Sequence, residues 1–336
     1  MRARILLSLP FLLPFTLAAP VAGPAAALPP RPAHTFSIVA RDPATGQIGA
    51  AVQSHWFSVG SNVIWAEAGV GAVATQSFIA PSYGPEGLAL MRSGASAPEA
   101  LKRLLEKDDH PEGRQVAMID AAGRSLAHTG PSCIPGAGHL AGDNFSVQAN
   151  LMTDASVPAA MAAAFEKVKG DLAERLVAAL EAAQAQGGDI RGRQSAAILV
   201  VSGKPTGEVW KDRLLELRVE DHDHPVAELR RLVGLWRAYE EMNAGDDAVT
   251  ESRFEDALRH YAAAEAMYPA NDEFVFWHAV ALVSMHRVDE SLPVFARAFR
   301  LNPAWLILVD RLPAAGLLPG DPALLEKIRA AGPRPR

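Results

Sequence analysis

Apolar and polar positions over residues 35–83 fall into three short runs: T-F-S-I-V-A-R-D, I-G-A-A-V-Q-S-H and G-V-G-A-V-A-T-Q-S. Apolar runs of about four to eight residues rich in Val, Ile and Ala fit buried strands better than helices. Asp42-Pro43-Ala44-Thr45-Gly46 between the first two predicts a hairpin turn, with Pro setting the first turn position and Gly allowing positive φ. Residues 84–105 switch to helical spacing (Leu88, Leu90, Met91, then Ala100, Leu101, Leu104, Leu105). Ser93-Gly94-Ala95-Ser96 splits them into two helices, the second opened by Ser96 with Glu99 as its capping-box partner. Residues 114–130 predict a strand, a turn and a strand; 131–143 a Gly/Pro-rich loop; 145–152 another strand. Helices follow over 157–168 and 172–185, then strands over 195–201 and 214–219. Helices set between runs of antiparallel strands predict a layered α+β domain over residues 35–221.

From Pro225 the pattern is helical. Phe254, Ala257, Tyr261, Ala264 and Pro269 recur 34 residues later as Val288, Ser291, Phe295, Ala298 and Pro303. That period, with small and aromatic residues at these offsets and a closing Pro, resembles the tetratricopeptide repeat. An all-α region over residues 225–331 is therefore expected. Fewer than three repeats do not make a stable array alone, so it is expected to pack on the first domain or on a second subunit and to recruit a protein partner.

Composition narrows the classes. The 336 residues are 49% hydrophobic and 21% charged, with net charge −6 and no basic run, which argues against nucleic acid. Arg2 and Arg4 precede an apolar run and then small residues through Ala27, the order of a secretory signal peptide over residues 1–27. The alternative is an uncleaved anchor, for which a run interrupted by Pro10 and Pro14 is short. A Pro-rich lead-in occupies residues 28–34, and a periplasmic or secreted location is expected. A single cysteine, Cys133, permits no internal disulfide and no thiolate zinc site. His128, Cys133 and His139 lack standard zinc spacing, and His222 and His224 sit in a charged linker, so no metal is expected. No phosphate-cradling glycine motif opens a helix, and no cofactor is expected.

Five separate blocks, T-F-S-I-V-A-R-D from Thr35, G-A-V-A-T-Q from Gly71, P-S-Y-G from Pro81, Q-A-N from Gln148 and R-G-R-Q-S-A-A from Arg191, carry a resemblance. In this order they resemble the domain of unknown function 1028 family, over about residues 35–203. That family is assigned to the N-terminal nucleophile hydrolase superfamily, where Gln-Gly-Asn is the usual form of the fourth block. The resemblance implies a four-layer αββα sandwich of two antiparallel sheets. It also implies an amide-bond hydrolase acting on a small amide or peptide, in which the first residue of the first strand supplies both nucleophile and base. Thr35 matches that position, with Ser37 as runner-up on the same face. A free α-amine, with a pKa near 8 in model peptides, takes the hydroxyl proton without a histidine. Cleavage after Ala27 would leave seven residues ahead of Thr35, so a free amine there requires a second cut after His34.

Around Thr35, the amides of Asn150 and Gln148 share a strand face and are candidate oxyanion donors, with strand-end caps as the alternative. Gln76 is a further candidate for contact with substrate. Arg193 and Arg191 are candidates to clamp a substrate carboxylate, with surface ion pairing as the alternative. Ser54 and His55 point to opposite faces of a strand and form no dyad. The resemblance also implies pairing as a homodimer. A binding protein without catalysis, using the sandwich and the helical repeats as a scaffold in the cell envelope, is the competing expectation.

Overall fold

The computed structural model describes residues 35–333. The leader expected over 1–27 and the lead-in over 28–34 lie outside the described residues. The chain opens with β1 (Thr35–Arg41) and β2 (Ile48–Ser54), then a single helical turn α1 (Gly60–Val63), β3 (Ile64–Glu67) and β4 (Gly71–Ser77). Helices α2 (Tyr83–Arg92) and α3 (Ala97–Leu105) lead to β5 (Arg114–Asp120), β6 (Ser125–Thr129), β7 (Gly138–Gly142) and β8 (Phe145–Ala149). Then come α4 (Val157–Lys167), α5 (Leu172–Ala185), β9 (Ser195–Val201), the short α6 (Val209–Asp212) and β10 (Arg213–Val219). The strands form two antiparallel sheets, one ordered β10-β9-β2-β1-β8-β7 and the other β3-β4-β5-β6.

Strand alternation assigns the layers. On β1, Phe36, Ile38 and Ala40 face outward into a core shared with α4 and α5, while Val39 faces inward to meet the second sheet. On β4 and β5, Val73, Val116 and Met118 face α2 and α3, while Ala72, Ala74, Ala117 and Ile119 face inward. The result is two sheets faced by helices on both sides, as expected. Ser96 caps α3 through the foreseen box: Glu99 N donates to Ser96 Oγ at 3.3 Å and Ser96 N to Glu99 Oε2 at 2.8 Å.

Two strands depart from the sequence expectation. The Gly/Pro-rich pattern of residues 131–143 predicts a loop, yet β7 lies there and pairs with β8 from Gly138 to Gly142. Its sequence G-H-L-A-G is glycine-flanked and partly exposed at the sheet edge, so no apolar run marks it. β3, also an edge, is held by pairing with β4 rather than by its own pattern.

The C-terminal region is helical: α7 (Pro225–Thr250), α8 (Phe254–Met267), α9 (Asp272–Ser284), α10 (Val288–Leu301), α11 (Trp305–Val309) and α12 (Pro322–Ala330). α7 serves two cores. Val226, Leu229 and Val233 pack into the core under the six-stranded sheet. Ala238, Met242 and Ala248 pack with Tyr261 and Phe274 in the helical core. Arg230 donates to Glu174 and Glu181 on α5, and Arg237 donates to Asp171 and Glu174, so α7 is also tied to the sandwich by charge-assisted bonds. The packing therefore has no break at residues 221–225.

Two predictions follow from these contacts. A Cβ on Gly84 of α2 would lie 2.3 Å from the Trp65 ring of β3. Gly84→Ala is expected to lower stability by about 1–3 kcal/mol, read from the urea midpoint, because the ring has to shift. Separately, the Arg114 guanidinium donates to Asp108 at 2.7 Å and holds its carboxyl at about 2, against its usual value near 4. A carboxyl whose folded pKa is depressed stabilises the fold above its unfolded pKa and ceases to do so as pH falls through the folded value. The difference in unfolding free energy between the wild type and Asp108→Asn should hold from pH 7 to about 5 and shrink between about pH 4 and pH 2.

Candidate functional site

The inward face of the six-stranded sheet changes character along its strands. One row, read across β8, β1, β2 and β9, is Ser146, Val39, Ala50 and Leu199. The next is Gln148, Ser37, Val52 and Ala197. The last is Ser195, Ser54 and Thr35 in register, with Asn150 beside Thr35 through its N–H to the Thr35 carbonyl at 3.1 Å. The opposing sheet ends in a matching row in which Gln76, Gln115 and Thr129 are neighbours on β4, β5 and β6. Thr35, Ser37, Ser54, Gln76, Gln115, Gln148 and Asn150 are all fully buried. An unpaired buried amide costs about 1–3 kcal/mol, so such a layer persists only when its members bond to each other.

They do, mostly across the gap between sheets. Gln76 Nε2 donates to the Thr35 carbonyl at 3.0 Å and to Gln115 Oε1 at 2.7 Å. Ser37 Oγ donates to Gln76 Oε1 at 2.6 Å. Gln115 Nε2 lies within reach of the Ala149 carbonyl at 2.9 Å, Thr129 Oγ1 at 2.9 Å and the Gly138 carbonyl at 3.2 Å. Asn150 Nδ2 donates to Gln115 Oε1 at 2.9 Å, and Gln148 Nε2 to Ser37 Oγ at 3.2 Å and the Ala74 carbonyl at 3.0 Å. Thr35 Oγ1 donates to Ser54 Oγ at 3.2 Å. Gln148 Oε1 is buried with no hydrogen-bond partner among the described residues. Thr129 Oγ1 sits 2.8 Å from His139 Nδ1, and burial moves that imidazole's pKa down, toward the neutral ring.

The turns around this end carry backbone strain. Ser77, after Gln76, has φ 67°, and Leu151, after Asn150, has φ 54°, both in a left-handed region that non-glycine residues rarely adopt. Asp189, nearly fully buried, accepts from the backbone N–H of His55 at 3.1 Å and from Arg191 Nη2 at 2.7 Å, and bridges to Met152. It thereby ties three loops around Thr35.

The structure thus gathers Thr35, Gln76, Gln148 and Asn150 into one cluster. Gln148, read from sequence as an oxyanion donor, already gives both amide hydrogens to Ser37 and Ala74. Gln76, read as a contact for substrate, gives both of its hydrogens to Thr35 and Gln115. Both amides reach across the gap between the sheets, to the Thr35 and Ala74 carbonyls. Arg193 is not part of the cluster: its exposed guanidinium contacts His224 Nδ1 at 2.9 Å at the start of α7. Of the paired arginines, it is Arg191 that reaches the loops around Thr35, through Asp189. Ser54 faces the cluster while His55 is exposed, with Nδ1 3.3 Å from the Arg193 carbonyl, so the two do not form a dyad. Cys133 is a buried thiol near the Arg114 carbonyl, and burial pushes its pKa up. Sequence reasoning missed Gln115, the hub. Its signal was present, since a polar residue opens the apolar run Q-V-A-M-I as Thr35 opens its own.

A family model described as a family of unknown function (DUF1028) matches residues 35–229, more than half of the chain. The chain belongs to that family. The crystal structure of protein SPO2555 from Silicibacter pomeroyi, titled with the same family, is similar at 31% identity and a TM-score of 0.53, covering 60% of this chain and 88% of that one. The Hsp70-Hsp90 organizing protein of Triticum aestivum is 37% identical over 79 residues, 24% of this chain. That match spans only 14% of the wheat protein.

Gln115→Leu removes an acceptor used by both Gln76 Nε2 and Asn150 Nδ2 and the donor to the Ala149 carbonyl. It should destabilise the protein by about 2–5 kcal/mol by urea unfolding, as three buried hydrogen bonds are lost. The exposed Arg193→Ala should change stability by less than about 0.5 kcal/mol.

Proposed function

We propose that this chain is an amide-bond hydrolase of the N-terminal nucleophile type, acting on a small amide or peptide, with Thr35 as nucleophile. The observation that carries this reading is the place of Thr35. It is the residue that opens the inward face of β1, in the polar row, beside Asn150 and under Gln76. Family membership and the two-sheet fold support the same assignment. In the proposed reaction, a free Thr35 α-amine takes the Oγ1 proton as Oγ1 attacks the substrate carbonyl carbon. The tetrahedral oxyanion lies beside Asn150, which follows the adjoining strand and carries a side-chain amide able to donate to it. Collapse breaks the C–N bond, the ammonium returns its proton to the leaving amine, and water then hydrolyses the Thr35 ester. The α-amine is free only when the peptide bond before Thr35 has been cut. The reading includes export to the periplasm or beyond.

The second reading is a binding protein in the cell envelope, possessing the sandwich without its chemistry. It is favoured by the mutual bonding of the cluster, in which Thr35 Oγ1 is already engaged with Ser54. In both readings the α7–α10 region acts as tetratricopeptide-like helical pairs that dock a protein partner. A homodimer is part of the first reading.

Mass spectrometry of the mature protein, combined with assay of Thr35→Ala and Thr35→Ser on a panel of N-acyl amides, tests the proposal. The expected result is a chain beginning at Thr35, with hydrolysis lowered about 10⁴-fold by Thr35→Ala and far less by Thr35→Ser. A chain that begins upstream of Thr35 and still hydrolyses amides would overturn it.

A further inference from the structure

The second site lies in the helical region, away from Thr35. α7 and α9 line a cavity of about 480 Å³, within the usual size range of ligand sites. Its walls are aromatic and acidic: Tyr239, Asp246, Tyr261, Glu273, Phe274 and Trp277. Among the described residues no Lys or Arg lines it. Among the described residues, each carboxylate is met only by a phenol. Tyr239 OH donates to Glu273 Oε2 at 2.6 Å, and Tyr261 OH donates to Asp246 Oδ1 at 2.7 Å. The bond to Glu273 and then burial move the Tyr239 pKa up, and burial and then the bond to Asp246 move that of Tyr261 up, so the phenols stay neutral and cancel no charge. Among the described residues neither Asp246 nor Glu273 has an ion pair. What sets Asp246 and Glu273 apart from other carboxylates of the region is their place: both stand in the wall of one aromatic cavity, whereas Glu265 on α8 is answered by Arg297.

We infer that this groove docks a peptide segment of another protein that presents a Lys or Arg side chain flanked by apolar residues. Two unanswered carboxylates attract the cation, the accessible rings of Tyr239 and Trp277 hold it and its stem over the buried Tyr261 and Phe274, and the cavity's size exceeds what one ammonium group fills. An acidic peptide or a terminal carboxylate finds no cation here to bind.

The test uses the full chain and a short fluorescein-labelled peptide, acetylated and amidated, with Lys-Leu-Arg at its centre between Ser and Ala. A twin carries Glu in place of both basic residues. Anisotropy should show binding of the basic peptide at least about tenfold tighter than its twin, weakening with salt. Asp246→Asn combined with Glu273→Gln keeps an acceptor for each tyrosine, so the fold is retained. It should weaken the basic peptide about tenfold or more, and Asn243→Arg, at an exposed position on the same wall, should do likewise. Thr35→Ala should leave binding unchanged, which separates this site from the reaction proposed above. Equal binding of the twin, undiminished binding by the double variant, or no binding up to about 1 mM overturns the inference. So does a dimer that Asn243→Arg dissociates while no peptide binds, since the groove would then hold a second copy of the chain.

Discussion

The constraint on which the sandwich depends is the closure of hydrogen bonds in a dry layer. Two sheets pack through faces that are Val, Ile and Ala along most of their length and polar at one end. At that end, side-chain amides must find partners inside the protein, because burial without a partner costs more than a bond gains. Gln76 and Gln115 provide them by reaching across the gap to main-chain carbonyls of β1 and β8. The sheets are thus pinned together where apolar packing gives out. Amide bonds have direction, so the pinning also fixes the register of one sheet over the other, which apolar contact alone does not.

This explains why strain and polarity occur together. Ser77 and Leu151 hold left-handed backbone at the ends of the strands that carry Gln76 and Gln148, and each immediately follows one of the row's amides. Such conformations persist only when the surroundings over-determine them. Here the surroundings are the amide network on one side and Asp189 on the other, which holds the loop after β2 and the loop before β9. A side chain placed among them, as Thr35 is, has little freedom to choose another rotamer. That pre-organisation is what attack by a hydroxyl needs, and it is also what a rigid non-catalytic core needs. The state of the bond before Thr35 decides between the two.

Much of the layering was legible in the sequence, because period-two alternation survives in T-F-S-I-V and in A-V-A-T-Q, and helical spacing in residues 84–105 and 172–185. The capping box at Ser96 and Glu99 was legible for a local reason: both partners lie within one turn. β3 and β7 were not, since edge strands draw their stability from a neighbour and need no apolar run of their own. For the site, the alternation placed Thr35, Gln148 and Asn150 on the correct face but said nothing of what lies opposite. Whether an amide donates to substrate or to a facing carbonyl depends on a strand 41 or 74 residues away, as for Gln76 with Thr35 and Gln148 with Ala74. Arg191 and Arg193 are indistinguishable by spacing. Only the loop before β9 turns one toward Asp189 and the other toward His224.

The helical region shows the same division between local and distant causes. Its 34-residue pattern foretells paired helices, with Ala257 and Ala264 matched by Ser291 and Ala298, all fully buried. The pattern does not foretell that α7 would belong to two cores at once. The first turns of α7 bury Val226, Leu229 and Val233 against the sandwich, and its later turns bury Ala238, Met242 and Ala248 against α8 and α9. A short array lacks the neighbours that stabilise longer ones. α7 supplies one by continuing, as a single rigid element, the packing of the domain before it. A helix anchored in this way cannot swing freely, so the wall it forms opposite α9 is held in place, with Asp246 and Tyr239 at fixed positions facing Tyr261 and Glu273. The sandwich therefore shapes the groove without lining it.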